Sequence, residues 1–311
     1  MKIYTSLDQI PPIHNAVVTQ GTFDGVHAAH QVIIDRLRSI ARQHNGETVL
    51  ITFDPHPRIV LHPDDHGLKL IQTLEEKIEV LQQMGIDHLV IVPFTREFSR
   101  MSSMQFIRDI IVNRIGARYL VVGYNHRFGK NREGDQEQLN EFSELYGFEV
   151  EQIPEQDIDH IAVSSTKIRH ALEQGDIVTA NKYLLKPFLI KGTVVQGKQV
   201  GRTIGFPTAN IELGDPNKLI PADGVYAVKV LIHNQTYGGM LNSGFRPTMD
   251  GKVHCIEVHL FDFNEEIYGE KISIEFVDKL RDEQRFSGIE ALRIQLEKDK
   301  LHALSKLALL S

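Results

Sequence analysis

His27 and His30 stand three residues apart in GTFDGVHAAH (21–30), after the apolar run Ala16–Val18 and at the start of a helical pattern. Residues at that spacing share a helix face. Beside the free N–H groups and positive dipole end of a helix N-terminus, two imidazoles suit a polyanion such as a triphosphate under attack. The same stretch also reads as two surface histidines with Asp24 capping the helix. A second anion site is suggested by SSTKIRHALEQGD (164–176), where the hydroxyls of Ser164, Ser165 and Thr166 open a helix carrying Lys167 and Arg169. Hydroxyls, backbone N–H groups and a guanidinium can converge there on phosphate oxygens, although serines at a helix start also serve simply as caps.

The second half offers different chemistry. GTVVQGKQVGRTIGFPTANI spaces glycines at 192, 197, 201 and 205 around Lys198 and Arg202, so a backbone could fold closely over a phosphate chain. In the PTAN segment that follows, an extended backbone sends Thr208 and Asn210 to one side. A hydroxyl and an amide oxygen suit Mg²⁺, which takes few protein ligands and completes its shell with phosphate and water. In HCIEVHLFDF, alternation assigns Ile256, Val258 and Leu260 to the core and turns Glu257 outward with Cys255 and His259. That reading makes Glu257 a solvated carboxylate. The loop DPHPRIVLHPDDHG holds His56, His62, Asp64, Asp65 and His66, but its three prolines favour a solvated loop over a metal site.

Elements of two kinds must position these residues. Up to about residue 185, strand-like runs (16–20, 47–53, 87–94, 118–123, 148–153) alternate with helical patterns (28–44, 73–84, 103–115, 135–146). Such βαβ alternation predicts a Rossmann-like parallel sheet covered on both faces, with ligands outside the carboxyl ends of its strands. After Lys186-Pro187 the β-rich runs are divided by glycine-bearing turns, which predicts an antiparallel barrel. A terminal helix should close it, opened by Ser287 and Glu290 in capping-box spacing, with Ile289, Leu292 and Leu296 facing inward. The expected domains are therefore 1–185 and 186–311.

A chain of 311 residues is comfortable for two such cores, and apolar and charged shares of 41% and 24% are those of a folded globular protein. The net charge of −7 argues against non-specific attraction to nucleic acid or an anionic membrane. No stretch has signal-peptide or membrane-span character, and the single Cys255 excludes an intrachain disulfide. A cytoplasmic location is the expectation.

Four segments of the first half, GTFDGVH with a histidine three further on, TFDPHP, VVGYNHRFG and SSTKIR, resemble the adenylyltransferase module of bacterial bifunctional riboflavin kinase/FAD synthetases. PTANI, GVYAV, NSGFRPT, EVHLFDF and LRDEQRF resemble the riboflavin kinase module of the same family. The resemblance implies that ATP phosphorylates riboflavin to FMN in the barrel, and that a second ATP adenylylates FMN to FAD with release of pyrophosphate in the first domain. It implies that His27 and His30 steady the phosphates of ATP, that Asp24, Ser164, Ser165, Thr166 and Arg169 belong to that site, and that Asn125 faces the flavin. In the barrel it makes Glu257 the base for the ribityl hydroxyl, has Thr208 and Asn210 bind Mg-ATP, and places Arg281 in a loop closing over the flavin. The chain departs from the family pattern at Ala29, where a glycine is usual, and at Asn125, where an acidic residue is frequent. The alternatives are a riboflavin kinase with an altered first domain and a flavin-binding protein without chemistry.

Overall fold

A computed structural model describes residues 1–63, 67–124, 126–155, 163–197, 200–248 and 251–309. The chain divides into two compact units, Met1–Ser165 and Thr166–Ser311.

The first unit is built on a six-stranded, wholly parallel sheet of β1 (Lys2–Tyr4), β2 (Val17–Gln20), β3 (Thr48–Asp54), β4 (His88–Pro93), β5 (Tyr119–Gly123) and β6 (Glu149–Ile153). Its order is β1-β4-β3-β2-β5-β6. The inner strands β2–β5 are mainly buried, as their apolar runs require, while the edge strands β1 and β6 are partly exposed. On one face Val17, Leu50 and Leu89 pack under Ile34 and Leu37 of α1 (Ala28–Gln43) and Leu81 of α3 (Leu74–Gln83). The short α2 (Pro57–Leu61) lies in the proline-rich loop between them. On the other face Val18, Val49 and Val90 pack against Phe106, Ile110 and Ile111, and against Leu139 of α5 (Gln136–Tyr146).

The helix expected over 103–115 has only one turn of α-helix, α4 (Ser103–Gln105), and continues as a π-helix, Phe106–Ile115, ending at Gly116 with φ 72°. The apolar residues expected to face inward, including Phe106, Ile110 and Ile115, are all buried. Their five-residue separations (106/111, 110/115) match the i to i+5 pitch of a π-helix.

The second unit is a closed antiparallel barrel, order β10-β11-β8-β7-β12-β9. Its strands are β7 (Leu189–Val195), β8 (Ala209–Leu213), β9 (Gly224–Ile232), β10 (Gln235–Thr248), β11 (Gly251–Leu260) and β12 (Lys271–Arg281). Two helices ahead of the barrel, α6 (Ser165–Glu173) and α7 (Ile177–Leu184), are tied to it. Asn181 accepts from Phe188 N at 2.7 Å and donates to Phe276 O at 2.9 Å, and Ala222 N donates to Leu172 O at 2.9 Å. The compact division therefore falls at 165/166, ahead of the change in texture at Lys186-Pro187.

A four-residue helix, α8 (Val200–Thr203), interrupts the glycine-rich segment, and α9 (Ile289–Ala308) packs on β9, β10 and β12. The expected capping box at Ser287 does not form: Gly288 is the N-cap, and Glu290 pairs with Arg293 at 2.8 Å instead. Ile289 is 65% exposed, while Ala303 and Leu307 carry the buried stripe.

Candidate functional site

Strand order in the first sheet reverses between β2 and β5, and the crevice outside the carboxyl ends of such a pair is where open α/β sheets bind ligands. The turn leaving β2 carries Phe23 at φ 45°, Gly25 at 96° and Val26 at 39°. A β-branched residue in the left-handed region is strained, and strain of this kind gathers at functional sites. Burial holds it in place, with Phe23 2% and Val26 0% exposed.

His27 is the N-cap of α1, with no side-chain cap bond, and His30 lies in the first turn. Their rings stack at 3.8 Å and 15°, and Phe23 closes on His30 at 4.8 Å. Burial, then the neighbouring His27 and Lys77, hold the His30 imidazolium well below its ordinary range, so this ring is neutral near pH 7. His30 Nδ1 is buried without a protein hydrogen-bond partner.

Asp24 does not cap α1. Its carboxylate, 2% exposed, accepts from Ile71 N at 3.0 Å and Gln72 N at 3.2 Å, while its carbonyl accepts from the Ser165 hydroxyl at 2.8 Å. Asp24 and Ser165 thus brace the turn. Ala29 is the second residue of α1 and 5% exposed, with helical backbone that any L-residue adopts. Ser164 precedes α6 and is partly buried; Thr166 (exposed) and Arg169 (partly buried) follow on α6 in the second unit. Asn125 lies outside the described residues.

The next residue, His126, carries a signal that the motif alone did not show. At the carboxyl end of β5 its Nε2 meets the Gln20 amide nitrogen at 2.8 Å, joining the ends of the two switch-point strands, and its ring stacks on Phe128 at 5.9 Å. Burial, helped by Arg132, lowers its pKa to about 4. The neutral ring accepts from Gln20 at Nε2 and so carries its proton on Nδ1. In the proline-rich loop His56 caps α2 through a bond from Arg58 N, His62 ends that helix, and Asp64, Asp65 and His66 lie outside the described residues. Among the described residues no three His, Cys, Asp or Glu gather as a metal cluster.

In the barrel, Glu257 of β11 stands opposite Asn210 of β8 on one side and Asn242 of β10 on the other. Directly opposed side chains on neighbouring strands lie about 5 Å apart at Cβ, so the three form one polar row. Alternation is obeyed, with Ile256 4%, Val258 0% and Leu260 8% exposed. The outer face is nevertheless not open at this point. The start of α9, residues 281–286 and the segment 201–208 build over it and border a cavity of about 320 Å³ lined by Glu257, Asn242, Thr208, Arg281 and Leu296. Glu257 is partly buried in that wall. His259, on the same face, is 8% exposed, and its Nδ1 lies 2.7 Å from Pro207 O, which fixes the approach to Thr208. A second cavity of about 490 Å³, lined by Arg202, Phe263, Glu266 and Tyr268, also has Thr208 in its wall.

The glycine-rich segment divides its work. A Cβ at Gly197 would fall 2.0 Å from Asn210 Nδ2, so this glycine makes room for the amide. Gly192 is a buried residue of β7 where a Cβ would fall 2.5 Å from Ile211 Cγ2, so its missing side chain answers to strand packing. Gly201 and Arg202 share α8 but line different cavities, and Lys198 lies outside the described residues.

Arg281 corrects an expectation. It ends β12 rather than lying in the closing loop, and its guanidinium grips Asp299 of α9 through Nε to Oδ1 at 3.0 Å and Nη2 to Oδ2 at 2.8 Å. Asp299 is 3% exposed and also accepts from Gln295 at 2.8 Å. Strand pairing of β12 with β9 runs through Arg281 itself, which is why the loop begins one residue later.

A doubly wound sheet with a strained turn and a helix N-terminus at its switch point, joined to a barrel with a carboxylate, hydroxyl and amide at a cavity wall, defines a two-domain transferase of phosphorus-containing groups. Comparison with known proteins gives the particular family. A FAD synthetase family model matches residues 10–167, and a riboflavin kinase family model matches 184–307. The bifunctional riboflavin kinase/FMN adenylyltransferase of Bacillus subtilis is 40% identical over 296 residues, 93% of this chain and 92% of that protein. Those of Listeria monocytogenes and Escherichia coli K12 are 39% and 36% identical, covering 92% and 94% of this chain and 90% and 93% of theirs. A crystal structure from Streptococcus pneumoniae described as a macrolide-efflux protein has a TM-score of 0.85 at 32% identity, with 96% of each chain covered. Among the described residues no helix is long and apolar enough to cross a membrane. The chain belongs to the bifunctional riboflavin kinase/FMN adenylyltransferase family.

Proposed function

We propose that the two units carry the two reactions of the family in succession, with riboflavin, FMN and ATP as substrates. In the barrel the terminal ribityl hydroxyl of riboflavin attacks the γ-phosphorus of ATP, ADP leaves, and Glu257 takes the hydroxyl proton. The observation that carries this reading is the position of Glu257: it lines a cavity and stands opposite Asn210, and Thr208 of that same cavity also lines the second one. The first cavity, lined by Phe206, Leu241, Phe286 and Leu296, suits the apolar ring of the flavin and the second suits ATP, so hydroxyl and phosphate meet beside Thr208. Phosphoryl transfer asks the protein for alignment and charge stabilisation more than for covalent chemistry. The oxygens of Thr208 and Asn210 would hold a Mg²⁺ ion, which when bound neutralises charge on the transferring group.

In the first unit the FMN phosphate attacks the α-phosphorus of ATP, giving FAD and pyrophosphate. His27, His30 and the free N–H groups opening α1 steady the phosphates, and Asp24 and Ser165 hold the turn that presents them. Ser164 takes a further phosphate contact, and Asn125 takes the flavin. Ala29 lies in the first turn of α1, where an L-residue is accommodated without backbone strain.

The test is a product chromatogram from riboflavin, ATP and Mg²⁺. The parent chain should make FMN with ADP, then FAD with pyrophosphate. Glu257→Gln should lose FMN formation by about 10²-fold or more while still converting added FMN to FAD. His27→Ala and His30→Ala should do the reverse, with FMN accumulating. Near-normal kinase turnover in Glu257→Gln would return that residue to the role of a spectator on the barrel face.

A further inference from the structure

Lys77 has no part in the reactions as written, yet it lies beneath the turn that does. It projects from α3 and is 6% exposed. Its Nζ donates to Thr22 O at 2.7 Å and to Thr52 Oγ1 at 3.3 Å, and the Thr52 hydroxyl donates to the same carbonyl at 3.2 Å. Thr22 opens the turn that runs through Phe23, Asp24 and Val26 to His27. The amides that hold the Asp24 carboxylate, Ile71 N and Gln72 N, come from the segment just ahead of α3. This side of the unit therefore grips the turn twice: by an ammonium on the carbonyl of residue 22 and by two amides on the carboxylate of residue 24.

A lysine is a costly way to secure one carbonyl. Burial disfavours its charge, and the nearby Asp24 and Asp54 offset that cost only in part, leaving its pKa lowered. A methionine would fill the same space without desolvating a charge. What the ammonium adds is a donor to Thr22 O and Thr52 Oγ1 that a methionine lacks. The strained residues Phe23 and Val26 need a surround that over-determines their backbone, and the bond to Thr22 O supplies one side of it.

We propose that Lys77 is a positioning residue for adenylyl transfer: a buried ammonium whose hydrogen bonds fix the turn bearing His27 and His30. The proposal rests on the assignment of adenylyl transfer to the first unit.

The test compares Lys77→Met and Lys77→Arg in the full chain, with riboflavin-to-FMN turnover by the barrel as the internal measure of active protein. Lys77→Met should lower kcat for FMN to FAD by roughly 10- to 100-fold, the loss that follows small misplacement of reacting groups, with a smaller change in KM for ATP. Lys77→Arg, which keeps the charge, should recover a large part of that loss. Thr52→Val, which removes one acceptor and leaves the charge, should cost less than Lys77→Met and serves if the methionine variant folds poorly. Parent kcat in Lys77→Met, or a loss that arginine does not recover at all, would overturn the proposal. A parent chain that makes no FAD would instead overturn the assignment of adenylyl transfer to this unit.

Discussion

Removing Asp299 tests what holds α9 over the cavity beside Glu257. Arg281 and Asp299 form a bidentate pair at 2.8–3.1 Å, with side chains 19% and 4% exposed. Breaking a buried pair from one side costs about 3–5 kcal/mol, because the survivor keeps its charge without its counterion. Here Arg281 retains a bond to Asp282 O at 2.9 Å and the face of Phe286 at 5.7 Å, which sets the expectation for Asp299→Ala at the lower end, about 3 kcal/mol. For a unit of this size that lowers the melting temperature by roughly 6–12 °C. Calorimetry on the full chain measures it as a shift of the transition belonging to the barrel. Since α9 and residues 281–286 line the cavity, KM for riboflavin should rise as well. Arg281→Met combined with Asp299→Leu replaces the pair by apolar groups and should restore most of the stability. Restored riboflavin KM in that double variant would make Arg281 a strut between β12 and α9. Restored stability with lost affinity would return it to the flavin-contacting role expected from sequence. A melting temperature within 1 °C of the parent in Asp299→Ala would refute the energetic reasoning.

The low pKa of His126, about 4, gives a pH dependence whose sign follows from linkage. An unfolded histidine takes its proton near pH 6.5 and the folded one does not until about pH 4, so stability is full above 6.5 and falls by about 3 kcal/mol as pH drops to 4. His126→Phe should remove about 2 kcal/mol of the stability lost between pH 8 and pH 5, measured by urea unfolding at both values; parallel curves for parent and variant would show that His126 titrates normally. Gly197→Ala should push the Asn210 amide from its place and lower kcat/KM for Mg-ATP in the kinase step by about tenfold or more, as displacement of a supporting contact at a metal site does. Unchanged kinetics would mean that the Asn210 amide is not needed where the structure holds it.

The parallel sheet was legible because its inner strands are apolar-rich runs between amphipathic helices, a pattern that fits few other folds, and β6 follows as an alternating run. β1 was not, because three residues at an edge carry no period. The buried face of Phe106–Ile115 could be read but not its π pitch, since both pitches bury nearly the same residues. Alternation placed Glu257 on the correct side of β11, yet alternation cannot say whether that side meets water or a helix from forty residues later. Arg281 was misplaced for a related reason: its partner, Asp299, is distant in sequence and has no pattern that announces it. His126 sits inside a quoted motif, but its character comes from Gln20 and from burial, both products of the strand order. The histidine pair and PTAN were visible as types and spacings. The strained turn beneath one and the cavity wall beside the other required coordinates.

Thr208 lines both of the cavities described above, and it is the residue their walls share among the described residues. For a chemist this sets a linker length. A compound that joins a flat tricyclic head to a nucleotide-like tail needs only a bridge spanning one threonine, and tethering turns the second binding event into an intramolecular one. Affinity for such a bisubstrate ligand would then depend on the stiffness of that short bridge more than on added contacts in either chamber.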